Sequence, residues 1–372
     1  MSFGFPRMHR EAAERRDFLP PLVAALAARG FEVVVERTIG SGMGLGDHDY
    51  LAAGARIGGE AEAYAQDVVV ILRSPARFDL IRPGTTLVSM LHFPTRPQRV
   101  ADLVERGIEA ISLDSIEHDD GTRLVVNARA VAWNGVEAAF KALARTWPAL
   151  ETRDRRPVRV LVMGAGQIGK HAVEAATKYG DVFRAAWYGA LGLPGVEVIA
   201  IGRNLTGSPE YLRERLADVD VLVDATQRDD ASRPIVRNAW LGGMPPHAIV
   251  CDLVVDPYLL DADPPTVRGV EGIPQGDLDR FVLGVDDPAW DRVPPGIPRA
   301  ERRTVASCYS WPGVHPRECM ELYGRQLEPL LVTLAERGGP RGLRADGTPA
   351  ERALRHASLR VWVDRPADLV VL

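Results

Sequence analysis

The stretch Val158-Arg159-Val160-Leu161-Val162-Met163-Gly164-Ala165-Gly166-Gln167-Ile168-Gly169 decides the fold. Its first half is a short apolar run of the kind that forms a strand buried in a parallel sheet. A G-x-G-x-x-G loop follows at once, and apolar residues at helical spacing continue over 171–179. In this strand–loop–helix setting each glycine has a task. Gly164 permits the tight turn, and Gly166 lets the backbone approach a pyrophosphate. Gly169 allows close packing of helix on strand, and Gln167 and Ile168 complete the cofactor-binding loop before the helix whose N-terminus attracts the anion. A glycine-rich turn without a ligand is the competing reading, and the flanking strand and helix weigh against it.

The next strand, 196–201, closes with Gly202-Arg203-Asn204. An acid for the ribose hydroxyls is missing there, and the arginine suits a 2′-phosphate, so the spacing favours NADP over NAD. Between the two strands, 180–195 is longer than a usual helix-to-strand connection and reads as an inserted loop or extra helical turn. Further strands are expected at 219–224 and 248–255. Residues 261–303 are rich in proline, glycine and acids with little periodicity. Helical spacing returns at 317–337, and 358–372 carries strand-like apolar residues.

Upstream the same alternation holds. A helix over 20–29 precedes a strand over 31–36, a glycine loop over 40–46 and a short helix over 49–54. Strands at 68–72, 86–91 and 108–113 follow, with a helix over 97–106 between the last two. A long amphipathic helix spans 128–147, and the charged run 151–156 is a connector. Alternating strand and helix signals an α/β chain with parallel sheets.

At 372 residues the chain is long enough for two domains. With 46% hydrophobic and 26% charged residues it supports packed cores, and its formal charge of -5 argues against nucleic acid or anionic lipid as partners. Residues 1–16 lack the apolar run of a signal peptide, and no stretch approaches a membrane span. Three cysteines are too few and too scattered for a disulfide framework or a zinc site, and no metal is expected. A cytoplasmic protein is the expectation.

Several blocks carry a resemblance. Gly40-Ser41-Gly42, then Gly46-Asp47-His48-Asp49-Tyr50-Leu51-Ala52-Ala53-Gly54-Ala55, is similar to a glycine loop followed by a D-Y-x-x-A-G-A helix. Arg82-Pro83-Gly84 leads to Met90-Leu91-His92, and Cys308 to Glu318 reads C-Y-S-W-P-G-V-H-P-R-E. With these blocks the chain resembles, nearly end to end, the alanine dehydrogenase and transhydrogenase N-terminal family, which includes lysine-forming saccharopine dehydrogenase. The Pro316-Arg317-Glu318 ending is closer to the saccharopine type. The resemblance implies two Rossmann-like domains with a cleft between them. The substrate domain would be discontinuous, 1–127 plus 306–372, around a dinucleotide domain at 128–305. It also implies a homo-oligomer.

Four positions match functional residues of that family. Arg15, five residues before Pro20, matches an arginine that pairs with a substrate carboxylate, although adjacent Arg16 leaves the register open. His92 ends an apolar strand, where it would act as general acid/base. Arg73 stands where the family commonly has a lysine; arginine stays charged and acts as a carboxylate or carbonyl donor. Asp256 matches the second acid of a V-D-x-x-x-D string beside the nicotinamide, with an Asp-Pro turn as its plain structural alternative. Asp252 is the lesser candidate and a loop cap. Ser310, where the family has asparagine, would border the nicotinamide.

The function these residues imply is an NAD(P)-dependent oxidoreductase moving hydride between the nicotinamide and an amino acid, or its keto acid or imine. Alanine dehydrogenase and saccharopine dehydrogenase are the nearest named activities. The alternatives are a soluble transhydrogenase-type component and a nucleotide-binding regulatory protein without turnover.

Overall fold

A computed structural model of the chain describes residues 1–8, 13–228 and 230–365. The chain divides into two compact units, one formed by 1–127 with 315–372 and the other by 128–314.

The first unit holds a parallel sheet of β1 (Ser2–Phe5), β2 (Glu32–Glu36), β3 (Arg56–Gly58), β4 (Val68–Arg73), β5 (Thr86–Met90) and β6 (Glu109–Ser112). Their order is β3-β2-β1-β4-β5-β6. The chain winds outward in both directions from β1, so the switch point lies between β1 and β4. Central β4 is apolar from Val68 to Leu72 because both its faces are covered there, and it ends in half-buried Arg73. Val68, Val70 and Leu72 join the core containing Phe3 and Phe5, while Val69 and Ile71 join the one containing Leu87 and Leu103. At four and three residues, β1 and β3 are too short to give a periodic signal.

The last part of the chain returns because its long helix is needed to cover this sheet. Pro316–Glu336 buries Cys319, Met320, Tyr323, Leu327 and Leu331 in the same core as Phe3 and Phe5. The second division falls after Val314, and not after residue 305 as the sequence suggests. β12 (Thr304–Ser307) pairs with β10 (Ile249–Asp252), so a cut at 305 would sever a strand of the other sheet. Strand-like 358–372 is corrected as well. Ser358 accepts a hydrogen bond from the Val361 amide and caps a helix, Leu359–Val363; residues 366–372 lie outside the described part.

The second unit carries β7 (Val158–Met163), β8 (Val196–Ile201), β9 (Val221–Asp224), β10, β11 (Val282–Leu283) and β12. The order is β11-β12-β10-β9-β7-β8, all parallel except β11. The helix after the glycine loop starts at Gln167, earlier than its apolar spacing suggests, because its first turn is polar and glycine-containing. One face of the sheet packs Leu161, Met163, Leu222 and Val250 with Leu212, Leu216 and Trp290. The helix Ala128–Thr146 buries Val136, Ala139, Phe140 and Leu143. The helix packs closely at Gly135, where a Cβ would stand 2.2 Å from Leu253 Cδ2 and 3.2 Å from Trp311 Cε2.

Candidate active site

In the second unit the glycine loop has the geometry its spacing predicts. Gly164 has φ +103°, and a Cβ on it would lie 2.3 Å from the Ala225 carbonyl oxygen, so only glycine fits. A Cβ on Gly169 would meet the Gly164 carbonyl oxygen at 1.9 Å, which measures how closely the helix sits on the loop. Gly166 differs: nothing lies within 4 Å of its missing Cβ. Its bareness opens space beside the helix Gln167–Ala176, whose N-terminus has no side-chain cap. Exposed amides with no side chain in front of them fit a pyrophosphate. Ala165, Gly166 and Gln167 are exposed, while Ile168 is half-buried. β8 ends at Ile201 opposite Met163, so exposed Arg203 and Asn204 follow at the same end of the sheet.

Beside this loop lies a layer of buried acids. Asp224 ends β9 in register with Met163 on one side and Asp252 on the other. Burial, then the Asp252 charge, pushes the Asp224 carboxyl up to about 7, against hydrogen bonds from the Thr226 amide and hydroxyl. Asp252 is held by Arg268 at 2.6 Å and by the Ser307 hydroxyl at 2.8 Å. Its other oxygen accepts the amides of Val254 (3.1 Å) and Val255 (2.9 Å). This bends the chain sharply, with Val255 at φ +60°, and sets the direction in which Asp256 leaves the sheet. Asp256 is half-buried and ion-paired with Arg228, itself fixed by the carbonyls of Arg233 and Val267. Ser310 is half-buried after β12, next to Trp311, which donates to the Asp252 carbonyl at 2.7 Å.

In the first unit the candidates gather at the C-terminal strand ends. A register shift in β4 lets Arg73 pair with Met90, two residues before His92. His92 has φ +51°, uncommon for a side chain with a Cβ, and its ring is 46% exposed. Asp114, just past β6, fixes that conformation. One carboxylate oxygen accepts the amides of Leu91 (3.0 Å) and His92 (3.2 Å) and the Ser112 hydroxyl (2.8 Å). The other lies 3.3 Å from His92 Nδ1. Burial alone would raise the Asp114 carboxyl; the His92 hydrogen bond and charge, with Ser112, outweigh it and hold the group far below the usual carboxylate range. The arrangement orients an imidazole and leaves Nε2 available for proton transfer. Sequence reading missed Asp114. The available signal was an acid just after the third apolar run, because parallel neighbours β5 and β6 end side by side, with Ser89 opposite Ser112.

The two arginines after β1 separate clearly. Arg16 is 2% exposed and forms a bidentate pair with Glu14, at 2.8 and 2.6 Å, with Cys319 and Tyr323 beside it. Arg15 is half-buried against the glycine loop, where a Cβ on Gly42 would stand 3.0 Å from its Cα and Cβ. Arg73 is half-buried, and its charge acts on Glu14 and Tyr323. Arg317 donates to the Met43 carbonyl of the same loop at 2.7 Å. His315 pairs only loosely with Glu318 at 3.7 Å. Among the described residues, no group of three or more His, Cys, Asp or Glu could hold a metal ion, and no helix is long and apolar enough to cross a membrane.

The chain is similar to several known proteins. Residues 7–129 match the family described as alanine dehydrogenase/PNT, N-terminal domain. An alanine dehydrogenase of Mycobacterium tuberculosis is 25% identical over 275 residues, 69% of this chain and 73% of that one. The NAD(P) transhydrogenase subunit alpha of Haemophilus influenzae is 27% identical over 193 residues, 50% of this chain but 38% of that one. A solved L-alanine dehydrogenase superposes with TM-score 0.71 at 20% identity, covering 96% of this chain and 94% of the other. The Sinorhizobium meliloti transhydrogenase structure gives 0.55 at 20% identity, covering 88% and 93%. The two structures speak to the fold. No saccharopine dehydrogenase is among these relatives.

Proposed function

We propose, for a chain whose residues 7–129 belong to the alanine dehydrogenase/PNT N-terminal domain family, that it is a nicotinamide-dependent oxidoreductase acting on an amino acid or on the corresponding keto acid or imine. The observation that carries this reading is His92, turned outward at a strand end and held by Asp114 at 3.3 Å.

When bound, the nicotinamide supplies or accepts the hydride. The chain's residues do the rest. Gly164, Gly166, Gln167, Ile168 and Gly169 hold the pyrophosphate at the helix N-terminus. Arg203 and Asn204 lie toward the adenosine ribose, and Ser310 toward the nicotinamide. Arg15 and Arg73 hold the substrate carboxylate, for which a planar guanidinium is suited. His92 moves the proton at the substrate oxygen, giving it to a departing hydroxyl in one direction and taking it from the attacking water in the other. Asp114 keeps the ring oriented. Asp256, with Arg228, orients the amine or imine.

The cofactor reading is a nicotinamide dinucleotide of the NAD type. A preference for NADP gains no support from the alanine dehydrogenase relatives and rests on Arg203 alone. Arg203→Ala tests it, since a selective loss of NADP affinity is expected, and an equal effect on both dinucleotides would remove the preference.

The activity is tested with a panel of amino acids, and of keto acids with ammonia, followed at the nicotinamide absorbance with each dinucleotide. Turnover with at least one member is expected. Tight dinucleotide binding without turnover of any member would sink the dehydrogenase reading. The transhydrogenase match supports a second reading, a component that passes reducing equivalents between dinucleotides. Reduction of a dinucleotide analogue by NADH or NADPH, with no amino or keto acid present, would favour that reading.

A further inference from the structure

The inserted segment 180–195 folds as a helix, Val182–Ala190, with one side anchored and the other bare. On the anchored side Tyr188 is buried. Its ring meets Tyr179 edge-on at 4.9 Å, and its hydroxyl donates to Glu151 at 2.8 Å. Asp181 caps the N-terminal end, accepting the amides of Phe183 at 2.6 Å and Arg184 at 3.0 Å. At the other end Arg153 Nε donates to the Leu191 carbonyl at 2.8 Å. The outer face is therefore a fixed surface and not a frayed end.

That face is apolar. Phe183 is 83% exposed, Trp187 62% and Val182 51%. Phe183, Ala186, Trp187 and Ala190 are all exposed, and their i, i+3, i+4, i+7 spacing makes one continuous stripe. Single apolar residues on a surface need no explanation, but two bare aromatics in one stripe mark an interaction site.

We propose that this stripe binds the same stripe of a second copy of the chain, the two helices lying antiparallel about a two-fold axis that passes between Ala186 and Trp187. A two-fold contact requires a surface complementary to itself. The order of side chains along the stripe, large, small, large, small, meets that requirement. In the antiparallel pair Phe183 of one copy faces Ala190 of the other, and Trp187 faces Ala186. A parallel pair would set aromatic on aromatic and leave alanine opposite alanine. The ends agree in charge: acidic Asp181 at the start of one helix meets Arg153, which sits on the end of the other, and the helix dipoles are opposed. No charge interrupts the stripe. Each aromatic carries about 150–250 Å², of which Phe183 exposes 83% and Trp187 62%, so the four would remove roughly 400–700 Å² from water. With Val182, the alanines and the flanking backbone the contact reaches roughly 1,000 Å², the low end for a specific interface. The association is therefore concentration-dependent. The proposal is independent of the activity assigned above.

Sedimentation of the full-length chain over about 1–100 μM tests it, a range suited to a contact of this size. A dimer that dissociates on dilution is expected, or a larger assembly that halves. Phe183→Glu and Trp187→Glu should each weaken it at least about tenfold, Trp187→Glu by bringing like charges together at the axis and Phe183→Glu by setting a charge in the apolar stripe against Ala190. Arg153→Glu should weaken it less. Unchanged melting temperatures show that the variants are folded. Oxidation of Ala186→Cys should yield a disulfide-linked dimer, and Ala185→Cys should not; the native Cys251, Cys308 and Cys319 are buried and do not interfere. A chain that stays monomeric throughout, or an assembly indifferent to both glutamate variants with no cross-link at position 186, overturns the proposal. Binding of the monomer to anionic or neutral lipid vesicles, lost in the same variants, overturns it in favour of a membrane surface.

Discussion

The imidazole of His92 and the carboxylate of Asp114 stand 3.3 Å apart at the ends of neighbouring strands, and Asp114 also accepts the His92 backbone amide at 3.2 Å. One acid thus sets both the backbone and the ring of the exposed histidine. Loss of His92 as Gln should cost roughly 10²–10⁴ in kcat, the usual worth of a general acid/base. Asp114→Asn should keep the fold at neutral pH, lower kcat about tenfold or more, and shift the acidic limb of the kcat profile. A variant with full kcat and an unshifted profile would remove Asp114 from the site.

Asp114 also ties stability to acid. Its folded-state carboxyl lies below its unfolded value, so its contribution is present above about pH 4 and is lost as pH falls through the folded value. Chemical denaturation from pH 7 to pH 2 should show Asp114→Asn less stable than the parent at neutral pH, with the gap closing at the acid end. A constant gap would show that the ionised form carries no advantage.

Asp224 has the opposite sign. Its folded-state carboxyl is raised to about 7, so between about pH 4 and that value the folded chain holds a proton that the unfolded chain has released. Stability from this group falls as pH rises through that window. Asp224→Asn should remove the slope and gain on the parent above pH 7 by a few kcal/mol at most, since one proton held or released changes stability by ~1.4 kcal/mol over each pH unit of the window. Equal pH dependence in parent and variant would remove Asp224 as the source.

Gly164 and Gly166 separate architecture from ligand. Gly164→Ala meets the Ala225 carbonyl at 2.3 Å from a residue at φ +103°, and should cost about 2 kcal/mol or more of stability. Gly166→Ala meets nothing within 4 Å, so its melting temperature should match the parent while dinucleotide affinity falls at least about tenfold. Tight dinucleotide binding by Gly166→Ala would show that the loop is not the cradle.

Arg15 and Arg16 should part in the same manner. Arg16→Met strands the Glu14 carboxylate, on a side chain 1% exposed, without its guanidinium and should cost about 3–5 kcal/mol. Arg15→Met should leave stability within about 1 kcal/mol and raise KM for the carboxylate substrate. A large stability loss from Arg15→Met with no change in KM would exchange the two roles.

The sequence by itself determined the alternation of strand and helix, the glycine loop between strand and helix, and the strand end at His92. Each is written locally: apolar runs of strand length, glycines at positions where a Cβ would strike backbone, and a histidine directly after a buried run. Short or polar pieces were not legible. β1 and β12, four residues each, show no period, and the first turn of Gln167–Ala176 is too polar to read as helix. Tertiary structure alone decided three things. It put β12 in the second sheet, through pairing with β10 across more than fifty residues of chain. It gave the buried Arg16 guanidinium to Glu14, because burial forces a charge to find a partner. And it brought Asp114 to His92, since parallel strands end side by side however far apart they lie in sequence.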